Sequence, residues 1–250
     1  MRYAILSDIH ANLEALSVVL DHAARSQVER YLCLGDVVGY GADPSACLER
    51  LDAVQAVTVA GNHDWACIGK LDPRWFNDAA RRAVLWTRDQ LGFTELDALR
   101  RLPLTATDGP MTLVHGTLRH PERFEYMIDL AQAIESLRIC DTPFCLVGHT
   151  HTPCVLEYDG SSDRITRSLF KPEELAHVPL PQGGAKRCVL NPGSVGQPRD
   201  GDPRAAYAIL DTADHSFSIV RLPYDLAETQ RKIRAAGLPG FLADRLAMGR

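Results

Sequence analysis

Residues 57–64 read Val57-Thr58-Val59-Ala60-Gly61-Asn62-His63-Asp64: a short strand-forming run that stops abruptly in a cluster of potential metal ligands. An Asn offers a neutral carbonyl oxygen, and the His beside it can project over a metal site instead of binding to it. The same pattern recurs on both sides. Residues 3–7 run into Asp8-Ile9-His10, and Tyr31 to Leu34 into Gly35-Asp36. Met111 to Val114 runs into His115-Gly116, Phe144 to Val147 into Gly148-His149-Thr150-His151, and Arg187 to Leu190 into Asn191-Pro192-Gly193-Ser194. In α/β architectures ligands bind in the crevice at the carboxyl ends of the strands. Clusters far apart in sequence are therefore expected to converge on one rim.

Each cluster suits divalent-metal chemistry. Asp8 and His10 alternate after a strand, which predicts side chains on one side. Their oxygen and nitrogen suit manganese, iron, cobalt, nickel or zinc. The Asp36 carboxylate has two oxygens and can bridge two cations, while Gly35 permits a tight turn. His115 alone is as readily a core residue as a ligand. His149 and His151, two residues apart on a segment expected to be extended, can reach neighbouring ions from the same side. No single cluster is decisive; their order, each at a strand end, is.

With that order the chain resembles the calcineurin-like metallophosphoesterases, whose pattern is DxH, GD, GNHD/E, a later His, and GHxH. It stands here as Asp8/His10, Asp36, Asn62/His63/Asp64, His115 and His149/His151, spanning residues 8–151. The resemblance implies a fold of two packed mixed β-sheets flanked by helices, a four-layer sandwich. It implies two divalent cations, manganese or iron first and zinc, nickel or cobalt as alternatives. Asp8, His10, Asp36 and His151 would hold one, and Asp36, Asn62, His115 and His149 the other. His63 would be catalytic, facing the leaving group. The expected activity is hydrolysis of a small phosphate-ester substrate, first a phosphodiester, with a nucleotide anhydride (diadenosine tetraphosphatase-like) or a phosphomonoester as alternatives.

Details narrow the branch. In the serine/threonine phosphatases of this superfamily an orienting Asp and a phosphate-binding Arg occupy the positions of Gly39 and Tyr40, which argues against protein phosphatase activity. The Val37-Val38-Gly39-Tyr40-Gly41 stretch and Asn191 to Arg199 are similar to the small prokaryotic phosphodiesterase-like branch. Asn12 and Arg199 are candidates to contact substrate phosphate. Asn12, at an expected helix start, is equally a helix cap. His22, His120, His177 and His215 fall outside the pattern.

Composition agrees. The 250 residues, 46% hydrophobic, can bury a sizeable core, and the net charge of -5 without a basic stripe argues against nucleic acid as a partner. No apolar stretch is long enough for a signal sequence or a membrane span, so a cytoplasmic location is expected. Seven cysteines, an odd number without a CxxC pair, argue against a disulfide framework or zinc ribbon. No feature bears on oligomeric state. A single domain over 1–250 is expected, with a helical cap inserted near 65–105. Helices are also expected over 13–24 and 125–139 and from near Asp225 to a break at 237–240. Residues 155–180 should form irregular β-structure, and 206–222 a hairpin. A non-catalytic scaffold or a nuclease are the competing classes. The complete ligand set opposes the first, and the missing basic patch the second.

Overall fold

The computed structural model describes residues 1–250. Twelve strands form two six-stranded mixed sheets. In chain order they are β1 (Arg2–Leu6), β2 (Arg30–Cys33), β3 (Val57–Thr58), β4 (Thr105–Asp108), β5 (Met111–Val114), β6 (Phe144–Leu146), β7 (Cys154–Asp159), β8 (Arg164–Leu169), β9 (Val178–Pro179), β10 (Lys186–Asn191), β11 (Ala205–Asp211) and β12 (Ser216–Leu222). One sheet has the order β3-β2-β1-β11-β12-β9 and the other β4-β5-β6-β10-β7-β8. The helices are α1 (Leu13–Arg25), α2 (Pro44–Ala53), α3 (Asn62–Cys67), α4 (Asp78–Gln90), α5 (Phe93–Arg101), α6 (Leu130–Ile139), α7 (Pro172–Leu175), α8 (Leu226–Ala235) and α9 (Gly240–Asp244).

Strand periodicity explains the layering. Tyr3, Ile5, Leu32, Leu210 and Phe217 from the first sheet meet Met111, Leu113, Leu146 and Leu190 from the second in a fully apolar inter-sheet core. The alternate residues Ala4, Leu6, Cys33 and Tyr207 turn outward onto Leu16, Val19 and Ala23 of α1. Cys145, Leu156 and Val189 turn outward onto Ala133 and Leu137 of α6. Strands covered on both faces read as continuous apolar runs, which is why β1, β6 and β10 carry no polar alternation. The result is the expected four-layer sandwich of two packed mixed sheets.

Strand direction positions the site. β1, β2 and β3 are mutually parallel, as are β5, β6 and β10. Each trio delivers its carboxyl-end loops to one rim, and the two rims are stitched together. The backbone N–H of His149, after β6, donates to Asp8 Oδ2, after β1, at 3.1 Å.

Several local expectations are corrected. The sheet pairing expected over 57–60 ends at Thr58, because the Ala60 N–H turns away to the Pro103 carbonyl. The helix expected from 125 begins at Leu130, where Asp129 and Gln132 cap each other's backbone N–H groups. Residues 155–180 hold a regular hairpin, β7–β8, with one bulge at Glu157/Tyr158. α2 and edge strand β4 were not foreseen. Helices α3 to α5 join the first sheet's outer cluster through Cys67, Val84 and Leu99. All seven cysteines are free, and six are buried. No helix is long and apolar enough to cross a membrane.

Candidate metal centre

The loops at this rim are not extended, contrary to the alternation assumed from sequence. Asp8, His10, Asp36, His149 and His151 all have positive φ, between 50° and 64°. A non-glycine residue held there costs about 1–3 kcal/mol, and such strain clusters at functional sites. The left-handed backbone throws each side chain inward from its strand end. Glycines make room for it: a Cβ on Gly61 would lie 2.0 Å from Asp36 Oδ1, and one on Gly148 2.0 Å from Ser7 Oγ.

The donor atoms fall into overlapping groups around Asp36. Asp8, His10 and His151 form one, and Asp36, His115 and His149 a second, while His10, Asp36 and His63 make a further group; within each, the donor atoms lie within 4.8 Å of one another and every residue is buried. Asn62 Oδ1 joins the second, 3.2 Å from His115 Nε2. Asp36 Oδ2 faces both, 3.7 Å from His10 Nε2 and 3.3 Å from His115 Nε2.

Hydrogen bonding tests whether cations fit. The Nδ1 atoms of His10, His115 and His151 meet the carbonyls of Val38, Leu34 and Gln197 at 3.2, 2.7 and 2.5 Å. A carbonyl only accepts, so in each ring Nδ1 carries a proton, and Nε2 is the nitrogen left to present a lone pair when the ring is neutral. These nitrogens face one another: His10 Nε2 and His151 Nε2 are 3.2 Å apart. Two nitrogens at that distance share either a proton or a metal cation. Asp8 is arranged likewise. Its Oδ2 accepts from Ser7 Oγ at 2.6 Å and from the His149 N–H, while its buried Oδ1 has no hydrogen-bond partner. The donor set therefore fits divalent cations of the nitrogen- and oxygen-liking kind.

The electrostatics agree. Burial disfavours ionised Asp8, but the charges of His151 and His115 outweigh it and hold the carboxyl below the usual carboxylate range. Asp36 is also held well down against burial, chiefly by His115 and His63. Burial opposes a charge on His115, but Asp36 and Asp8 pull it up to about 9. The centre is a field that draws positive charge.

His63 stands at the edge of both groups, in a cavity of about 320 Å³ lined by Tyr40, Trp75, Phe76, Phe124 and Tyr126 among others. Its Nδ1 is buried without a partner and lies against Gly39, where an added Cβ would come within 2.5 Å of it. The ring is thus oriented by packing, 4.4 Å from Tyr40 and edge-on to Phe76 at 4.9 Å. Burial pushes the imidazole down to about 4.

Of the two candidate phosphate contacts, Asn12 is the N-cap of α1. Its Oδ1 accepts from Ala15 N–H at 3.1 Å and from Thr229 Oγ1, its amide donates to the Gly196 carbonyl at 2.9 Å, and it is 2% exposed. The capping alternative is the one observed, because the side chain is already engaged. Arg199 reaches the rim: its backbone N–H bonds the His151 carbonyl at 3.3 Å, and its guanidinium charge is felt by His63.

Sequence reasoning missed Asp64 as a support. Its carboxylate accepts four backbone N–H groups, from Gly61, Asp36, Val37 and Val38, at 2.9–3.2 Å. It locks the Asp36 loop to the Asn62 loop. The N-cap-to-N3 spacing Gly61–Asp64 was the available signal. Ser7, pinning Asp8, had none.

Comparison with known proteins agrees with this geometry. The model of the calcineurin-like phosphoesterase superfamily domain matches residues 1–215, so the chain belongs to that superfamily. It is a metal-dependent phosphoric ester hydrolase by family. An uncharacterized protein of Methanocaldococcus jannaschii is 36% identical, over 99% of this chain and 98% of its own. The crystal structure of a metallophosphoesterase from Sphaerobacter thermophilus is 42% identical, covers 100% of this chain and 99% of its own, and superposes with a TM-score of 0.86. A hypothetical protein of Pyrococcus horikoshii shares the fold at 20% identity and a TM-score of 0.79, covering 100% of this chain and 98% of its own.

Proposed function

We propose that this chain is a dinuclear-metal phosphodiesterase. The observation that carries the reading is the set of overlapping buried donor groups around Asp36, with ring nitrogens and an unpartnered carboxylate oxygen turned toward one another. Asp8, His10, Asp36 and His151 would hold one cation, and Asp36, Asn62, His115 and His149 the other. When bound, two such cations supply Lewis acidity that generates a nucleophile from water at neutral pH and offsets charge at phosphorus. The protein's own contribution is position. Asp64 fixes the backbone of the Asp36 loop, the His63 N–H holds Asp36 Oδ1 at 2.8 Å, Ser7 holds Asp8, and the carbonyls of Val38, Leu34 and Gln197 orient the rings through their Nδ1 protons.

His63 lies beside both groups and is the residue suited to hydrogen-bond the leaving oxygen, and to give it a proton once the negative charge of a bound phosphate raises the imidazole's proton affinity. The cavity it shares with Trp75, Phe76, Phe124 and Tyr126 has a mixed lining in which these aromatic rings offer packing for a second organic substituent on phosphorus, which a diester has and a monoester lacks. Residues 71–80 form one wall, which supports reading the helical stretch near 65–105 as a cap.

The test is hydrolysis by stripped protein reconstituted separately with manganese, iron, nickel, zinc and magnesium. Substrates are a chromogenic phosphodiester, a chromogenic phosphomonoester and a dinucleoside polyphosphate, with Asp36→Asn as control. Metal-dependent turnover fastest on the diester and lost in Asp36→Asn is expected. Preference for the polyphosphate would favour anhydride hydrolysis, and no turnover with both metals bound would favour the scaffold.

A further inference from the structure

The cavity beside His63 carries one fixed side-chain charge. Arg123 is the one Lys or Arg in its lining, and no Asp or Glu lines it. The guanidinium is weakly engaged. Its Nη1 lies 3.9 Å from Glu125 Oε1, beyond hydrogen-bond reach, and both side chains are exposed. Arg119, in contrast, holds Glu135 at 2.9 Å. An exposed pair as long as Arg123–Glu125 contributes little and is readily exchanged for a better partner.

The loop that presents Arg123 is fixed against the metal centre. Pro121–Arg123 makes a single turn between His120 and Phe124, both in the left-handed region at φ 56° and 50°. Phe124 is buried and sits edge-on to Trp65 at 5.2 Å and to His115 at 6.0 Å. Gly116 lets the returning chain pass closely, since a Cβ there would lie 2.6 Å from the Glu125 carbonyl oxygen. Tyr126 then stacks on His149 at 3.7 Å. Arg123 is thus one and three residues from rings that pack on His115 and His149. From the cap, Trp75 and Phe76 line the same space, and Trp75 is 84% exposed, its ring open to a ligand.

Aromatic walls alone would serve a neutral ring or, by cation–π attraction, a quaternary ammonium group. A guanidinium without a carboxylate in the same lining separates these cases. Its fork suits carboxylate or phosphate oxygens, and its charge repels a cation. Resting on the phosphodiesterase reading above, we propose that Arg123 is a specificity-determining residue that binds a negatively charged group on the organic substituent of the substrate. The enzyme then takes diesters with anionic aromatic substituents and rejects those of the choline type. The metal centre would hold the scissile phosphate, and Arg123 reads what is attached to it.

Calorimetric titration of the metal-loaded protein with three non-hydrolysable ligands tests this without turnover. They are benzylphosphonate, its para-carboxylate and its para-(trimethylammonio)methyl derivative. Metal-dependent binding of benzylphosphonate itself reports the metal-centre reading, and the ratios among the three report the proposal. Wild type is expected to bind the carboxylate about tenfold tighter than benzylphosphonate, the scale of one charge-assisted hydrogen bond, and the ammonium ligand about threefold more weakly. Arg123→Gln should bring all three to within about twofold, and Arg123→Lys should keep part of the order. Melting temperatures of both variants show whether they fold. A wild-type carboxylate ratio near one would overturn the proposal, as would tightest binding of the ammonium ligand or an order unchanged in a folded Arg123→Gln. Parallel loss of all three in Arg123→Gln would overturn it too, since that is damage to the site as a whole. Failure of benzylphosphonate to bind would remove the metal-centre reading, and the proposal with it.

Discussion

Replacing Asp64 with Ala tests how the centre is held together. The Asp64 carboxylate is 0% exposed and accepts the N–H groups of Gly61, Asp36, Val37 and Val38. Burial and the charge of Asp36 push its pKa up to about 7, against the pull of these N–H groups. Ala leaves all four donors buried and unsatisfied. At the low end of about 1 kcal/mol for each orphaned group, the loss is about 4 kcal/mol. For a chain of this size that lowers the melting temperature by roughly 8–16 °C. Asp64→Asn keeps one acceptor oxygen but turns an amide N–H2 toward two of the donors, so it should lose at least about half as much. The assay is thermal unfolding of the metal-free proteins, followed by metal content after reconstitution. Because the lost bonds align Asp36 with Asn62, both variants should also bind the shared metal pair more weakly. A melting temperature within about 2 °C of wild type, together with full metal content, would refute the buttress role.

Other consequences follow from single contacts. Ser7→Ala removes the hydroxyl that holds Asp8 Oδ2 at 2.6 Å; metal affinity should fall about 10–100-fold with the fold intact, as competition with a chelator would show. Gly61→Ala places a methyl 2.0 Å from Asp36 Oδ1, so metal content and turnover should drop together, and normal content would mean the loop yields more easily than its packing indicates. His63→Ala should keep two metals and lose about 10²–10⁴-fold in kcat; lost metal would make His63 a ligand instead. Phe217→Ala, at a fully buried inter-sheet position, should cost about 3–5 kcal/mol in denaturant unfolding and leave metal binding unchanged.

The six strand-end clusters were legible because buried parallel strands must be apolar throughout, and their chemistry-bearing residues must then follow immediately. What stayed hidden was set by contacts across the fold. α2 buries only Pro44, Cys47 and Leu51, too sparse an apolar face to announce a helix. β4 has no apolar run and exists because it pairs with β5. The inward aim of Asp8 and His10 was expected from strand alternation but arises from left-handed backbone, a conformation that nothing in a DxH motif announces. Asn12 could be read as cap or contact, and its capping bond to Ala15 became visible only in the folded chain.

The most direct test of the central claim is an anomalous difference map from crystals grown with manganese. Two peaks are predicted, ~3.5–4 Å apart. One should lie among Asp8, His10 and His151 and the other among Asn62, His115 and His149, with Asp36 between them. A single peak, or peaks away from these side chains, would contradict the dinuclear assignment.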